Sequence, residues 1–266
     1  MKKKQRKKLQ AAVSAPIRAI TVATGKPPSL IALILFTVMV AGLVAGANVR
    51  NRVYQTPVTM WADTSAKSAN KRRTHENYGQ ALSTYGMYTD AIREFKTVQA
   101  LKDDGSVPLR DLYREIGVVY FRIGMIDDAI VSWQTGLQYA PYDPSLLNNL
   151  SVAYMRKQRL DDAELAIRQA LVGLPNMPQA LNSLGEILMV KGNYEEALQY
   201  FLKAIDVSPE GPSRYWNAAL AFEKTGRIDM ALQYANQYVA METDPAMRQR
   251  GLQYIQSLQA HMSKRK

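Results

Sequence analysis

Cysteine is absent from this 266-residue chain. Its absence excludes a disulfide framework, thiolate metal sites, a cysteine nucleophile and a lipidated N-terminal cysteine. Histidine occurs only twice, at His75 and His261, too far apart to read as a local ligand pair, so a histidine-rich metal site is not expected. Gly-rich phosphate loops, H-E-x-x-H and G-x-S-x-G are also missing, and two histidines are poor material for a Ser/His/Asp triad. The expectation is a protein that is not an enzyme and that carries no metal or cofactor. Apolar residues, in contrast, make up 47% and charged residues 21%, which is enough for a sizeable core and excludes wholesale disorder.

The net charge of +11 is unevenly placed. Residues 1–29 carry eight Lys/Arg and no acid, residues 50–71 a net +3 and residues 263–266 another +3. The body, 72–262, has 19 basic and 22 acidic residues and is mildly acidic. A nucleic-acid binder carries its basic face on the folded domain, so no nucleic-acid partner is expected.

Long apolar runs are confined to one place. From Leu30 to Val49 the chain reads LIALILFTVMVAGLVAGANV, 20 residues without a charge. As a helix this stretch spans about 30 Å, the hydrocarbon thickness of a bilayer. Pro27 and Pro28 precede it and Ser29 is placed to cap its first turn. Six basic residues between Lys2 and Lys8, with Arg18 and Lys26, lie on one side; Arg50 and Arg52 lie close on the other. This bias predicts an N-terminus in the cytoplasm and the remainder outside it, as in a bacterial inner-membrane protein with a periplasmic domain. Ala45-Gly46-Ala47 has the form of a signal-peptidase site, but the apolar core and the preceding tail are long for a signal, which favours an uncleaved anchor. Gly42 and Gly46 form a G-x-x-x-G that could let two such helices pair into a weak homodimer. The lysine-rich tail, separated from the span, could contact anionic lipid.

The rest of the chain is self-similar. Proline pairs at Pro141/Pro144, Pro175/Pro178 and Pro209/Pro212 recur with a displacement of 34 residues. Between them one pattern repeats: Leu181, Leu184, Gly185, Leu188, Gly192, Tyr194, Ala197, Phe201, Ala204 and Pro209 in one unit. Leu147, Leu150, Ser151, Tyr154, Ala163, Ile167 and Ala170 match it one period earlier, and Tyr113, Ile116, Gly117, Tyr120, Ala129, Trp133 and Gly136 two periods earlier. Tyr215, Ala218, Ala219, Phe222, Gly226, Ala231 and Ala235 match it one period later. A further unit starts at Arg72 with Tyr78, Gly79, Leu82, Ala91 and Phe95, followed by a connection four residues longer that holds Asp103-Asp104-Gly105-Ser106. Five units result: 72–109, 110–143, 144–177, 178–211 and 212–245. Each reads as two amphipathic helices joined by a tight turn, with small residues letting the helices approach and Phe95, Trp133, Ile167 and Phe201 filling the space between neighbouring units.

In period and in the placing of small and large residues the chain resembles the tetratricopeptide repeat family. The resemblance implies an all-α, right-handed solenoid of helical hairpins, here preceded by one transmembrane helix. Thr56-Pro57 reads as the start of a capping half-repeat over 57–69, within the linker 50–71. Residues 246–262 read as a closing helix with Leu252, Ile255 and Leu258 on one face, before the basic end of 246–266.

The acidic doublets Asp127-Asp128, Asp161-Asp162 and Glu195-Glu196 each fall in the first turn of a second helix, where they complement the helix dipole. They are read as structural. The resemblance further implies a concave groove lined by first helices, with a peptide or protein ligand held by amides at the sixth position of each repeat. Asn77, Glu115, Asn149, Ser183 and Asn217 stand there, flanked by Arg114, Arg122, Asn148, Met155, Arg156, Asn182, Glu186 and Met189. An amide both donates and accepts and can therefore bond a peptide backbone of any sequence. The family's clamp for a C-terminal carboxylate is not matched, because Glu76 and Gln80 stand where basic and amide residues are needed. Arg122 and Arg156, one period apart, could together hold an acidic group, and Met155 with Met189 suggests an adaptable apolar strip. The function expected is a membrane-anchored scaffold or adaptor for a protein or peptide. The alternative is an accessory subunit that positions or regulates a membrane enzyme assembly such as envelope polysaccharide or glycoprotein synthesis.

Overall fold

The computed structural model of the chain describes residues 29–264, which form thirteen α-helices and, among those residues, no β-strand. The chain divides into two units after Lys67. The lysine-rich tail lies outside the described residues.

In the first unit, helix α1 (Leu30–Val53) begins where the sequence places its start, with Ser29 Oγ accepting from the Ala32 amide at 3.3 Å. It continues four residues beyond the apolar run that ends at Val49, because no proline or glycine interrupts 50–53. Among the described residues one helix is long and apolar enough to cross a membrane, over Leu30–Asn48. Helix α2 (Pro57–Lys67) opens on Thr56, whose Oγ1 accepts from the Thr59 amide at 3.1 Å while Thr59 Oγ1 accepts from the Thr56 amide at 3.2 Å. This reciprocal pair fixes the start that Thr56-Pro57 predicts.

The second unit is a row of hairpins. α3 (Arg72–Thr84) packs on α4 (Tyr88–Ala100), α5 (Leu109–Arg122) on α6 (Ile126–Tyr139), and α7 (Pro144–Arg156) on α8 (Leu160–Gly173). α9 (Pro178–Lys191) with α10 (Tyr194–Val207) and α11 (Pro212–Lys224) with α12 (Ile228–Met241) complete the series, and α13 (Pro245–Lys264) closes it. Each second helix also packs on the first helix of the next hairpin, so the apolar faces merge along the stack. Prolines occupy the first turn of α7, α9 and α11, where no amide hydrogen is needed, and Asp143 Oδ1 accepts from the Ser145 and Leu146 amides, each at 3.0 Å. The turn inside each hairpin needs one residue with positive φ. Gly86, Gly124, Gly192 and Gly226 supply it in four hairpins; in the third, Gln158 adopts it at φ 59°.

The large side chains also pack within their own hairpins. Phe95, Trp133 and Phe201 lie over Gly79, Gly117 and Gly185 of their own hairpins, and Phe201 also lines a cavity shared with the neighbouring hairpins. A Cβ placed on these glycines would come within 2.7, 2.2 and 2.4 Å of the respective rings. The ring needs the missing side chain opposite it, which makes the contact one within a hairpin. In the third hairpin Ser151 faces the register position of the smaller Ile167, and in the fifth Ala219 shares a cluster with Ala235. In the third hairpin a larger small residue thus offsets a smaller large one, whereas the fifth pairs two alanines.

The closing helix differs in its buried face. Gly251, Ile255 and Leu258 are buried, whereas Leu252 is 41% exposed. Gly251 decides this: a Cβ there would stand 2.6 Å from Val239 Cγ2 and 2.8 Å from the Tyr238 ring, so α13 approaches α12 along its glycine. Leu252 points away one residue further round the helix.

Candidate functional site

The first helices α7, α9 and α11 border an open cavity of about 280 Å³ lined by Met155, Glu186, Met189, Val190, Asn217 and Leu220, with Phe201 of α10. Asn182 Nδ2 donates to Glu186 Oε1 at 2.7 Å, and Asn217 Nδ2 donates to Glu186 Oε1 at 2.9 Å and to Asn182 Oδ1 at 3.0 Å. Upstream, Ser183 Oγ donates to Asn148 Oδ1 at 3.2 Å. Of the residues singled out in the sequence, Met155, Glu186, Met189 and Asn217 line one cavity, and Asn182 is tied to it. Asn148 bridges α7 and α9. Arg114 is held by Asp111 at 2.8 Å and Glu115 at 3.2 Å. Asn77 and Asn149 are half-buried, Arg122 and Arg156 are exposed, and all four are without a side-chain partner among the described residues. Val190 and Leu220 were legible in principle, since they stand one period from Arg156 and Glu186.

The acidic doublets do occupy the first turns of α6, α8 and α10. They also reach the next hairpin: Asp127 pairs with Lys157 at 3.0 Å, Asp161 with Lys191 at 2.8 Å, and Glu195 with Arg227. Lys191 also binds Glu164 at 2.7 Å and, as its hydrogen-bond donor, holds that carboxyl below the ordinary glutamate value. This ladder along the stack accounts for the doublets without any acid–base role.

A buried polar cluster at the first hairpin was not foreseen. Arg72 is 2% exposed; its Nε donates to Val98 O at 3.1 Å and its guanidinium pairs with Asp103 of the longer connection. His75 is engaged at both ring nitrogens, by Glu94 at 2.7 Å and Ala69 O at 3.0 Å. Glu76 accepts from Arg73 at 2.9 Å, yet burial outweighs that partner and pushes its carboxyl above the ordinary value. Among the described residues no cluster of three or more His, Asp or Glu could hold a metal ion.

The tetratricopeptide repeat family model matches residues 114–178, 148–214 and 184–247, half of the chain in all, and the chain belongs to that family. No curated protein matches it by sequence. Among solved structures it is similar to MamA (TM-score 0.53, 22% identity, 66% of this chain and 94% of that one). It is also similar to YrrB, described as having an unusual peptide-binding site (0.52, 17%, 73% and 97%). A chain of the APC/C hetero-tetramer Cut9-Hcn1 matches with TM-score 0.64 and 18% identity over 73% of this chain, which spans 38% of the length of that one. At such identities these likenesses speak for the solenoid fold alone.

Proposed function

We propose that the protein is a membrane-anchored scaffold that binds an extended segment of a partner protein across α7, α9 and α11. The observation that carries this reading is the cavity, to which three successive first helices each contribute side chains. Repeat solenoids expose such a concave surface along the stack, and YrrB supplies a precedent for peptide binding on the same fold. The anchor is Leu30–Asn48, with the N-terminus in the cytoplasm and the repeats on the periplasmic side of a bacterial inner membrane. Contact of the lysine-rich tail with anionic lipid, and weak pairing of two anchors through Gly42 and Gly46, belong to the same proposal. A Cβ at either glycine meets nothing within 4 Å, so that face of α1 is open. The test is site-specific photo-crosslinking in membranes, with the probe at Met189 in the cavity or at the exposed Val172 on α8. A defined partner peptide joined at Met189 and not at Val172 is expected; the reverse pattern places the working surface outside the groove.

A further inference from the structure

Glu186 departs from its own register. One and two periods earlier stand Val152 and Val118, one period later Leu220, and Gln80 in the first repeat, so Glu186 is the one charged side chain at this position. The carboxylate enters a cavity walled by Met155, Met189, Val190 and Leu220. Asn182 and Asn217 both donate to its Oε1, at 2.7 and 2.9 Å, which orients the group without neutralising it. Its Oε2 has no hydrogen-bond or ion-pair partner among the described residues. Glu76 is paired with Arg73, and Asp111 and Glu115 with Arg114, whereas Glu223 is held by the neutral Tyr254 hydroxyl at the capped end of the stack, outside this cavity.

A fixed carboxylate with one free oxygen, set among apolar walls, suits a side chain that is methylene along its stem and cationic at its tip. Methionine thioethers adapt readily to such a stem. We infer that this cavity selects a lysine or arginine side chain in the partner segment. The inference rests on the groove reading above and adds to it the charge and shape of the residue recognised.

The full-length chain in detergent micelles is titrated with four fluorescent peptide pools of random flanks, centred on lysine, arginine, norleucine or glutamate. The lysine and arginine pools should bind roughly tenfold more tightly than norleucine, the neutral analogue, as one charge-assisted contact allows. That advantage should shrink as salt screens the exposed part of the pair. Glu186→Gln keeps the amide hydrogen bonds and should bring the lysine and arginine pools down to the norleucine level. Glu186→Leu, the residue of the next repeat, should turn the preference to norleucine. Binding without basic preference, or a preference that survives Glu186→Gln, overturns the inference and leaves the groove reading standing. Failure of all four pools to bind overturns both.

Discussion

At the scale of single residues, a large ring is matched to a glycine in three of the hairpins. Gly185→Ala drives a methyl into the Phe201 ring and is expected to cost about 1–3 kcal/mol in chemical denaturation, as overpacking does. Adding Phe201→Leu should return part of the loss, so the double variant should be more stable than the two single costs summed. Strict additivity would show that the ring and the glycine do not share that space. Glu76 makes a different prediction. Its pKa is raised in the folded state, chiefly by burial, so its contribution to stability is complete below the ordinary glutamate value. That contribution is lost as pH climbs through the folded value, where the buried carboxyl must ionise. Lysine-paired carboxyls such as Glu164 drift the opposite way, so the informative quantity is the difference between parent and Glu76→Gln. The parent should lose melting temperature relative to the variant as pH rises above the ordinary glutamate value. Parallel pH profiles would contradict the assignment.

At the scale of elements, the turns and the closing helix carry the testable content. Four hairpin turns use glycine at positive φ and one uses Gln158. Gln158→Gly relieves the clash of Cβ with the following carbonyl and should raise stability by up to about 1 kcal/mol, with Gly226→Gln lowering it comparably. Equal melting temperatures for all three chains would argue against strain at that turn. α13 protects the end of the stack through Ile255 and Leu258. Leu258→Ala, at a site 1% exposed, should cost about 2–5 kcal/mol. Since each repeat leans only on its neighbours, hydrogen exchange should accelerate first in α11 and α12 and last in α3 and α4. Uniform acceleration would mean that the array unfolds as one block.

At the scale of the whole molecule, the absence of cysteine becomes a tool. A single cysteine at Val172, 84% exposed, should react with a membrane-impermeant maleimide on spheroplasts. One at Gln5 should react only after permeabilisation, as the positive-inside bias requires. Labelling in the opposite order would put the repeats and their partner in the cytoplasm.

Much of this architecture was legible because it is local or periodic. An apolar run long enough for a bilayer, prolines at helix starts, acids in first turns and small residues every 34 positions each report a constraint acting within a few residues or one repeat. The sequence alone therefore determined the helices, the hairpins and the family. Tertiary structure decided what depends on how neighbouring helices are rotated and spaced. It placed the rings of Phe95, Trp133 and Phe201 over glycines of their own hairpins, and it turned Gly251 rather than Leu252 inward. It also gathered Met155, Glu186 and Asn217, from three different hairpins, around one cavity while leaving Asn149 and Arg156 outside it. A repeat period says which residues are equivalent. Only the stacking of one helix on the next decides which of them meet, because contact requires both the right face and the right height along the groove.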